Sequence, residues 1–152
     1  MSYKLTYATM FDPPADLHVR FDAALQDVEA SLGATYALHV NGVDVATHTL
    51  DERRSPIDQR RVLGHFAVAD VADADRAMQA AHAAFPAWRA KAATERVRLM
   101  KRVAALIEER VYAISAALSL EVGKNRMEAL GDVQETADFF RLYAEDFERQ
   151  GG

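Results

Sequence analysis

Residues 62–90 read VLGHFAVADVADADRAMQAAHAAFPAWRA, and this stretch decides the fold class. Residues 62–69 are a short run of apolar and β-prone side chains, which predicts a strand. Asp70 stands before an alanine-rich run, where its carboxylate can accept the free backbone N–H groups of a helix start. The pattern predicts a helix from there to Phe85, stopping before Pro86, because proline lacks the N–H and its ring crowds the preceding turn. A strand passing into a capped helix gives a mixed α/β chain.

Upstream, Leu17, Phe21, Leu25, Val28 and Leu32 recur at spacings of three and four, one face of an amphipathic helix that ends at Gly33. Residues 1–14, closed by Pro13 and Pro14, are expected as an extended arm ahead of one domain-like body over 15–152. Residues 36–40 and 43–47 are β-prone and flank Asn41-Gly42, a pair that tolerates the positive φ of a tight hairpin turn. Residues 48–61 are polar and read as a loop, so three strands are expected in all.

Downstream, Val97, Met100, Ala104, Ile107, Val111, Ile114 and Leu118 predict one long helix from near Thr94 to just before Gly123, a natural C-terminal cap. A last helix carries Met127, Leu130, Val133, Ala137, Phe140, Tyr143 and Phe147 on one face. The apolar stripes, Phe85 and Trp88 included, read as core, since aromatic side chains bury large areas. The expected architecture is several amphipathic helices with a small β-hairpin or three-stranded element.

A chain of 152 residues, 50% hydrophobic and 27% charged, can bury the core of one ordinary domain. Its net charge of −5 offers no basic field for nucleic acid or anionic lipid. No run approaches the ~20 apolar residues that span a bilayer, so no membrane contact and a cytoplasmic location are expected. With no cysteine, disulfides, thiolate metal sites and a cysteine nucleophile are excluded.

Motifs for chemistry are sparse. His18, His39, His48, His65 and His82 lie on separate elements without metal-ligand spacing, so no metal is expected. Gly123-Lys124 resembles the end of a phosphate loop, yet Leu118 stands where that loop needs glycine and Asn125 where it needs a hydroxyl. No G-x-G-x-x-G follows a strand. Arg53, Arg54, Arg60 and Arg61 interleave with Asp51, Glu52 and Asp58, as in a solvated loop. Glu128, Asp132 and Glu135, at i, i+4 and i+7, lie near one helical face. Stacked like charges there are ordinarily just solvated; the alternative is a face that holds a cationic group of a ligand.

Taken in order, the strand, capped helix and Phe-Pro-x-Trp of residues 62–90, then ERVRLMKRVAALIEER and LSLEVGKNRMEALGDVQETADFFRLYA, resemble the N-terminal segment of the aldehyde dehydrogenase superfamily. The leader through Ser31-Leu32-Gly33 to YALHVNGVDV, and the run from Asp132 to Phe139, are similar to its glutamate-semialdehyde branch. Ser55-Pro56-Ile57 departs from the family's usual Asn-Pro-Ala. The resemblance implies NAD-dependent oxidation of glutamate semialdehyde to glutamate in proline catabolism. It places the catalytic asparagine, nucleotide loop, general-base glutamate and nucleophilic cysteine beyond this chain. No catalytic or cofactor-binding residue is therefore assigned, and no NAD is expected on the chain alone.

The one position carried over is Glu135, matching a glutamate near that branch's substrate entrance, where a carboxylate could hold the substrate's α-ammonium. The resemblance also implies a partner, either the remainder of the dehydrogenase or a second polypeptide, and a homo-oligomer when intact. Without the later strands, the apolar faces of residues 97–118 and 127–147 are expected to be exposed. The alternatives are another aldehyde dehydrogenase branch, or a stand-alone, non-catalytic helical interaction module.

Overall fold

The computed structural model describes residues 12–151, so all but the end of the arm expected over 1–14 lies outside the described residues. The elements are α1 (Ala15–Ala30), β1 (Ala34–Tyr36), β2 (Leu38–Val40), β3 (Val43–Val45), β4 (Leu50–Arg54), β5 (Val62–Ala67), α2 (Val71–Ala90), α3 (Ala93–Glu109), α4 (Val111–Val122) and α5 (Arg126–Arg149). They form two compact units, Leu32–Lys91 and a helical unit of α1 with α3, α4 and α5. The mixed α/β architecture expected from the sequence is the one observed.

In the helical unit, Leu17 and Phe21 are one turn apart on α1 and fully buried, in a cluster with Ala116 of α4 and Leu130 of α5. Leu25, Val28, Val111, Tyr112 and Met127 close over it. Pro14, in extended backbone with ψ 147°, starts α1, which stops at Ala30, so Leu32 falls outside that helix. Along α5 the buried line is Ala129, Leu130, Val133, Ala137 and Ala144. Tyr143, assigned to that stripe from spacing, is 67% exposed and stacks on the exposed Phe139 instead. Small alanines let α5 lie close to its neighbours, and the interior follows them rather than the bulkier aromatics.

The single long helix expected over residues 94–122 is two. Arg110, at φ −109° and ψ 14°, ends α3, with its N–H on the Ile107 carbonyl at 3.1 Å, and precedes α4. The apolar spacing runs on across this break, so periodicity does not show it. Its effect is to turn Ser115, Ala116, Ser119 and Leu120 inward, while Ile114 is 38% exposed. Val97, Ala104, Ala116, Leu120, Leu130 and Val133 are buried within the unit, so the faces expected to be open along 97–118 and 127–147 are largely closed.

The Leu32–Lys91 unit holds five strands rather than three. β1 pairs in parallel with β5, and β4 antiparallel with β5, giving the order β1-β5-β4. β2 and β3 form the predicted hairpin, with Asn41 at φ 52° and Gly42 at φ 79° meeting the requirement of its turn. Two strands escaped the sequence. Tyr36 belongs to β1 and not to the hairpin strand, and its ring stacks on Phe66 at 4.9 Å over Gly64. β4, Leu-Asp-Glu-Arg-Arg, is an exposed edge strand read as loop because its charged side chains need no interior; only its backbone pairing with β5 makes it a strand. Residues 55–61 do form a loop, closed by Ser55 N–H on the Arg61 carbonyl at 3.0 Å.

Asp70 caps α2 as predicted, accepting from Asp73 N–H at 2.8 Å while Asp73 accepts from Asp70 N–H at 3.0 Å. The helix does not stop at Phe85 but runs through Pro86 to Ala90. An interior proline forfeits a hydrogen bond at a cost of about 3 kcal/mol, and the surrounding alanines, strong helix formers, carry the backbone past it. Phe85 and Trp88 are not core: they are 56% and 39% exposed, and Asp73 is the sole buried residue of α2.

Candidate functional site

The acidic face lies at the start of α5. Gly123, left-handed at φ 81°, ends α4 in a conformation that glycine adopts without steric cost. Two residues on, the Asn125 side chain accepts from Met127 N–H at 3.1 Å and Glu128 N–H at 3.0 Å, which fixes the first turn of α5. Glu128 sits in that turn, where a negative charge complements the helix dipole.

Lys124, between those two caps, donates its ammonium to the Asp132 carboxylate. That hydrogen bond, ahead of the fields of Asp132, Glu128 and Glu135, holds the Lys124 ammonium above its usual pKa. Of the three acidic residues singled out from spacing, Asp132 bonds to Lys124, while Glu128 and Glu135 act on it through their field. The sequence had placed Lys124 only in a failed phosphate-loop match; its contact with Asp132, eight residues on and across a turn, is not given by spacing along one helix. Glu135 is exposed two turns into α5 and accepts no hydrogen bond among the described residues.

A second charged cluster is structural. Arg141 of α5 donates both terminal nitrogens to Glu108 of α3, and Gln134 donates to Glu108 at 3.0 Å and to Asp138 at 3.3 Å. The Glu108 hydrogen bond raises the Arg141 pKa first, with Glu108, Asp138 and Glu145 adding charge. Arg53 and Arg54, placed in a loop from the sequence, lie on β4 and pair with Asp51 and Glu52, each at 2.6 Å. His18 accepts from Arg126 at 2.9 Å and His39 pairs with Asp44 at 2.9 Å. Among the described residues no group of three or more His, Asp or Glu side chains could hold a metal.

Neither Gly64 nor Gly123 opens a phosphate-binding turn. Gly64 is covered by Tyr36, whose ring would lie 2.7 Å from an added Cβ, and Gly123 closes the C-terminal end of a helix rather than opening an N-terminal one. No helix among the described residues is long and apolar enough to cross a membrane.

A model of the aldehyde dehydrogenase family matches residues 44–152. The chain belongs to the aldehyde dehydrogenase family. Within the family it is 36% identical over 124 residues to the 1-pyrroline-5-carboxylate dehydrogenase of Staphylococcus aureus, which covers 82% of this chain and 24% of that relative. A 1-pyrroline-5-carboxylate dehydrogenase from Thermus, solved with bound NAD, superimposes with a TM-score of 0.87 at 31% identity, over 95% of this chain and 27% of that one. An NAD-dependent aldehyde dehydrogenase from Sinorhizobium meliloti reaches 0.71 at 33% identity, over 75% of this chain and 24% of that one. The chain thus spans about a quarter of the length of these relatives, and the glutamate-semialdehyde resemblance read from its sequence is borne out by the names of the first two.

Proposed function

We propose that residues 15–152 are the N-terminal part of the nucleotide-binding domain of an NAD-dependent aldehyde dehydrogenase that oxidises glutamate semialdehyde to glutamate in proline catabolism, in the cytoplasm. The chain is not competent alone: having no cysteine, it lacks the nucleophile that such an oxidation requires. Nucleophile and NAD site belong to the rest of a longer chain or to a second polypeptide, and the intact enzyme is a homo-oligomer.

What this chain contributes is Glu135. Asp132 is bonded to Lys124; of the two exposed carboxylates left on this face, Glu128 lies in the field of the helix start, which favours Glu135 for an incoming cation. The α-ammonium of an amino-acid aldehyde meets that demand through a charge-assisted hydrogen bond worth about 1.5–3 kcal/mol.

The test assembles this chain with the remaining three-quarters of the Thermus dehydrogenase and compares two aldehydes. Glu135→Gln should raise KM for glutamate semialdehyde about tenfold or more while leaving an aldehyde without an amino group unaffected. Equal losses on both would reject the role. The intact mass of the natural protein, captured with an antibody to this sequence, tests the rest: a mass well above 16.8 kDa supports a continuous enzyme. A mass near that value without a cysteine-bearing companion rejects it.

A further inference from the structure

Asn41 and Asn125 are the two asparagines of the chain, and their side chains stand in opposite situations. The Asn125 carboxamide oxygen is held by the N–H groups of Met127 and Glu128, at 3.1 and 3.0 Å, and the bulky Arg126 follows it. Asn41 is exposed at the tip of the β2–β3 hairpin, and its carboxamide makes no hydrogen bond among the described residues. The next residue, Gly42, is likewise exposed, and its N–H has no backbone acceptor among the described residues. Glycine has no Cβ to keep its nitrogen away from a neighbouring carbonyl. The hairpin is also a two-stranded sheet of its own, with three residues in each strand, and such a pair is only marginally stable. Its turn therefore opens locally without unfolding of the rest of the unit.

We propose that Asn41 is a site of covalent modification, its side-chain amide being lost by cyclisation onto the Gly42 nitrogen. That nitrogen gives up its proton and bonds to Asn41 Cγ, the Cγ–Nδ2 bond breaks, and ammonia leaves with the proton, forming a cyclic imide. Solvent water then opens the imide at either carbonyl. Cleavage of the new N–Cγ bond leaves aspartate. Cleavage of the bond to the Asn41 main-chain carbonyl leaves isoaspartate, with the chain running through Cγ. Either product adds a negative charge to a chain of net charge −5. Aspartate keeps the turn, because it tolerates the φ of 52° at this position and precedes Gly42, at φ 79°, as asparagine does. Isoaspartate does not: its extra backbone atom breaks the register that sets Val40 opposite Val43 and His39 opposite Asp44.

The full chain is incubated folded in mildly alkaline buffer, digested at intervals under acid conditions where the cyclisation is slow, and its peptides are read by mass spectrometry. The expected result is exchange of ammonia for water at Asn41 about tenfold or more faster than at Asn125, with aspartyl and isoaspartyl peptides separated by chromatography. The same incubation in urea, which removes the Asn125 cap, should speed Asn125 more than Asn41. Retention of the Asn41 amide in the folded chain, whether or not urea releases it, overturns the proposal, because the turn would then protect the amide. Equal rates at Asn41 and Asn125 in the folded chain also overturn it, since exposure, the following glycine and the unbonded carboxamide would not select the site.

Discussion

Replacing Phe21 by alanine should be the most damaging single change in the helical unit. Its ring is 3% exposed, packed with Leu17, Ala116 and Leu130, and the Arg126 guanidinium lies 4.7 Å from its centroid. Truncating a buried phenylalanine costs about 3–5 kcal/mol through lost transfer energy and the cavity left behind. The cation over its face adds about 0.5–1 kcal/mol, at the low end because the Arg126 side chain is 29% exposed. A loss of about 4 kcal/mol, divided by a urea slope of about 2 kcal/mol per molar, moves the unfolding midpoint down by about 2 M. The assay is urea unfolding of the 152-residue chain followed by helical circular dichroism. Phe21→Leu, which keeps most of the volume and removes the ring, should cost about 1.5 kcal/mol or less. Loss of helix without urea in Phe21→Ala agrees with the estimate. A midpoint shift under about 0.5 M would refute it, because the α1, α4 and α5 cluster would then not hold the unit together.

Two further outcomes follow from local geometry. The Lys124 pKa is raised by Asp132, so its contribution is present below the usual 10.5 and lost as pH rises through the higher folded value. Thermal stability should therefore fall further above pH 10.5 in the natural chain than in Lys124→Met, and parallel curves would remove Lys124 from the account. Gly64→Ala would set a Cβ 2.7 Å from the Tyr36 ring and 3.0 Å from the Ala34 carbonyl oxygen. Overpacking of that kind costs about 1–3 kcal/mol, and Tyr36→Ala in the same chain should relieve part of it in a double-mutant cycle; additive losses would rule out the contact.

Much of the fold could be read from residues whose local chemistry admits one answer. Asn41-Gly42, Asp70 before its helix and Gly123 after one are each dictated by the backbone conformation or unpaired N–H groups they serve, and each stands where the pattern placed it. The misreadings share a different cause. β4 is charged because it lies at a sheet edge, and Arg110 divides a helix whose apolar spacing never falters; both are decided by partners distant in sequence. Phe85 and Trp88 show the limit of the inference from apolar spacing to core. Periodicity says which face of a helix is meant to be covered, not whether the cover is present, and here the aromatic end of α2 faces solvent.

The acidic face shows the same division between pattern and partner. Glu128, Asp132 and Glu135 share a face by spacing, and spacing alone favours plain solvation over cation binding. Lys124 changes that balance. By bonding to Asp132 it neutralises the middle carboxylate, and its remaining interactions with Glu128 and Glu135 act at a distance, weakened by solvent. A substrate ammonium entering this face would find Asp132 already satisfied and would have to displace a lysine to reach it. At Glu135 it meets a carboxylate without a hydrogen bond to break, on a rigid helix fixed at its start by Asn125. Lys124 also limits how strongly the face draws cations of any kind, since a closer packed trio of bare carboxylates would attract metal ions and polyamines as readily as an amino acid. On the proposed role, a substrate ammonium would be held at Glu135 rather than at the neutralised Asp132, which is why substitution of Glu135 should separate amino-bearing from amino-free aldehydes.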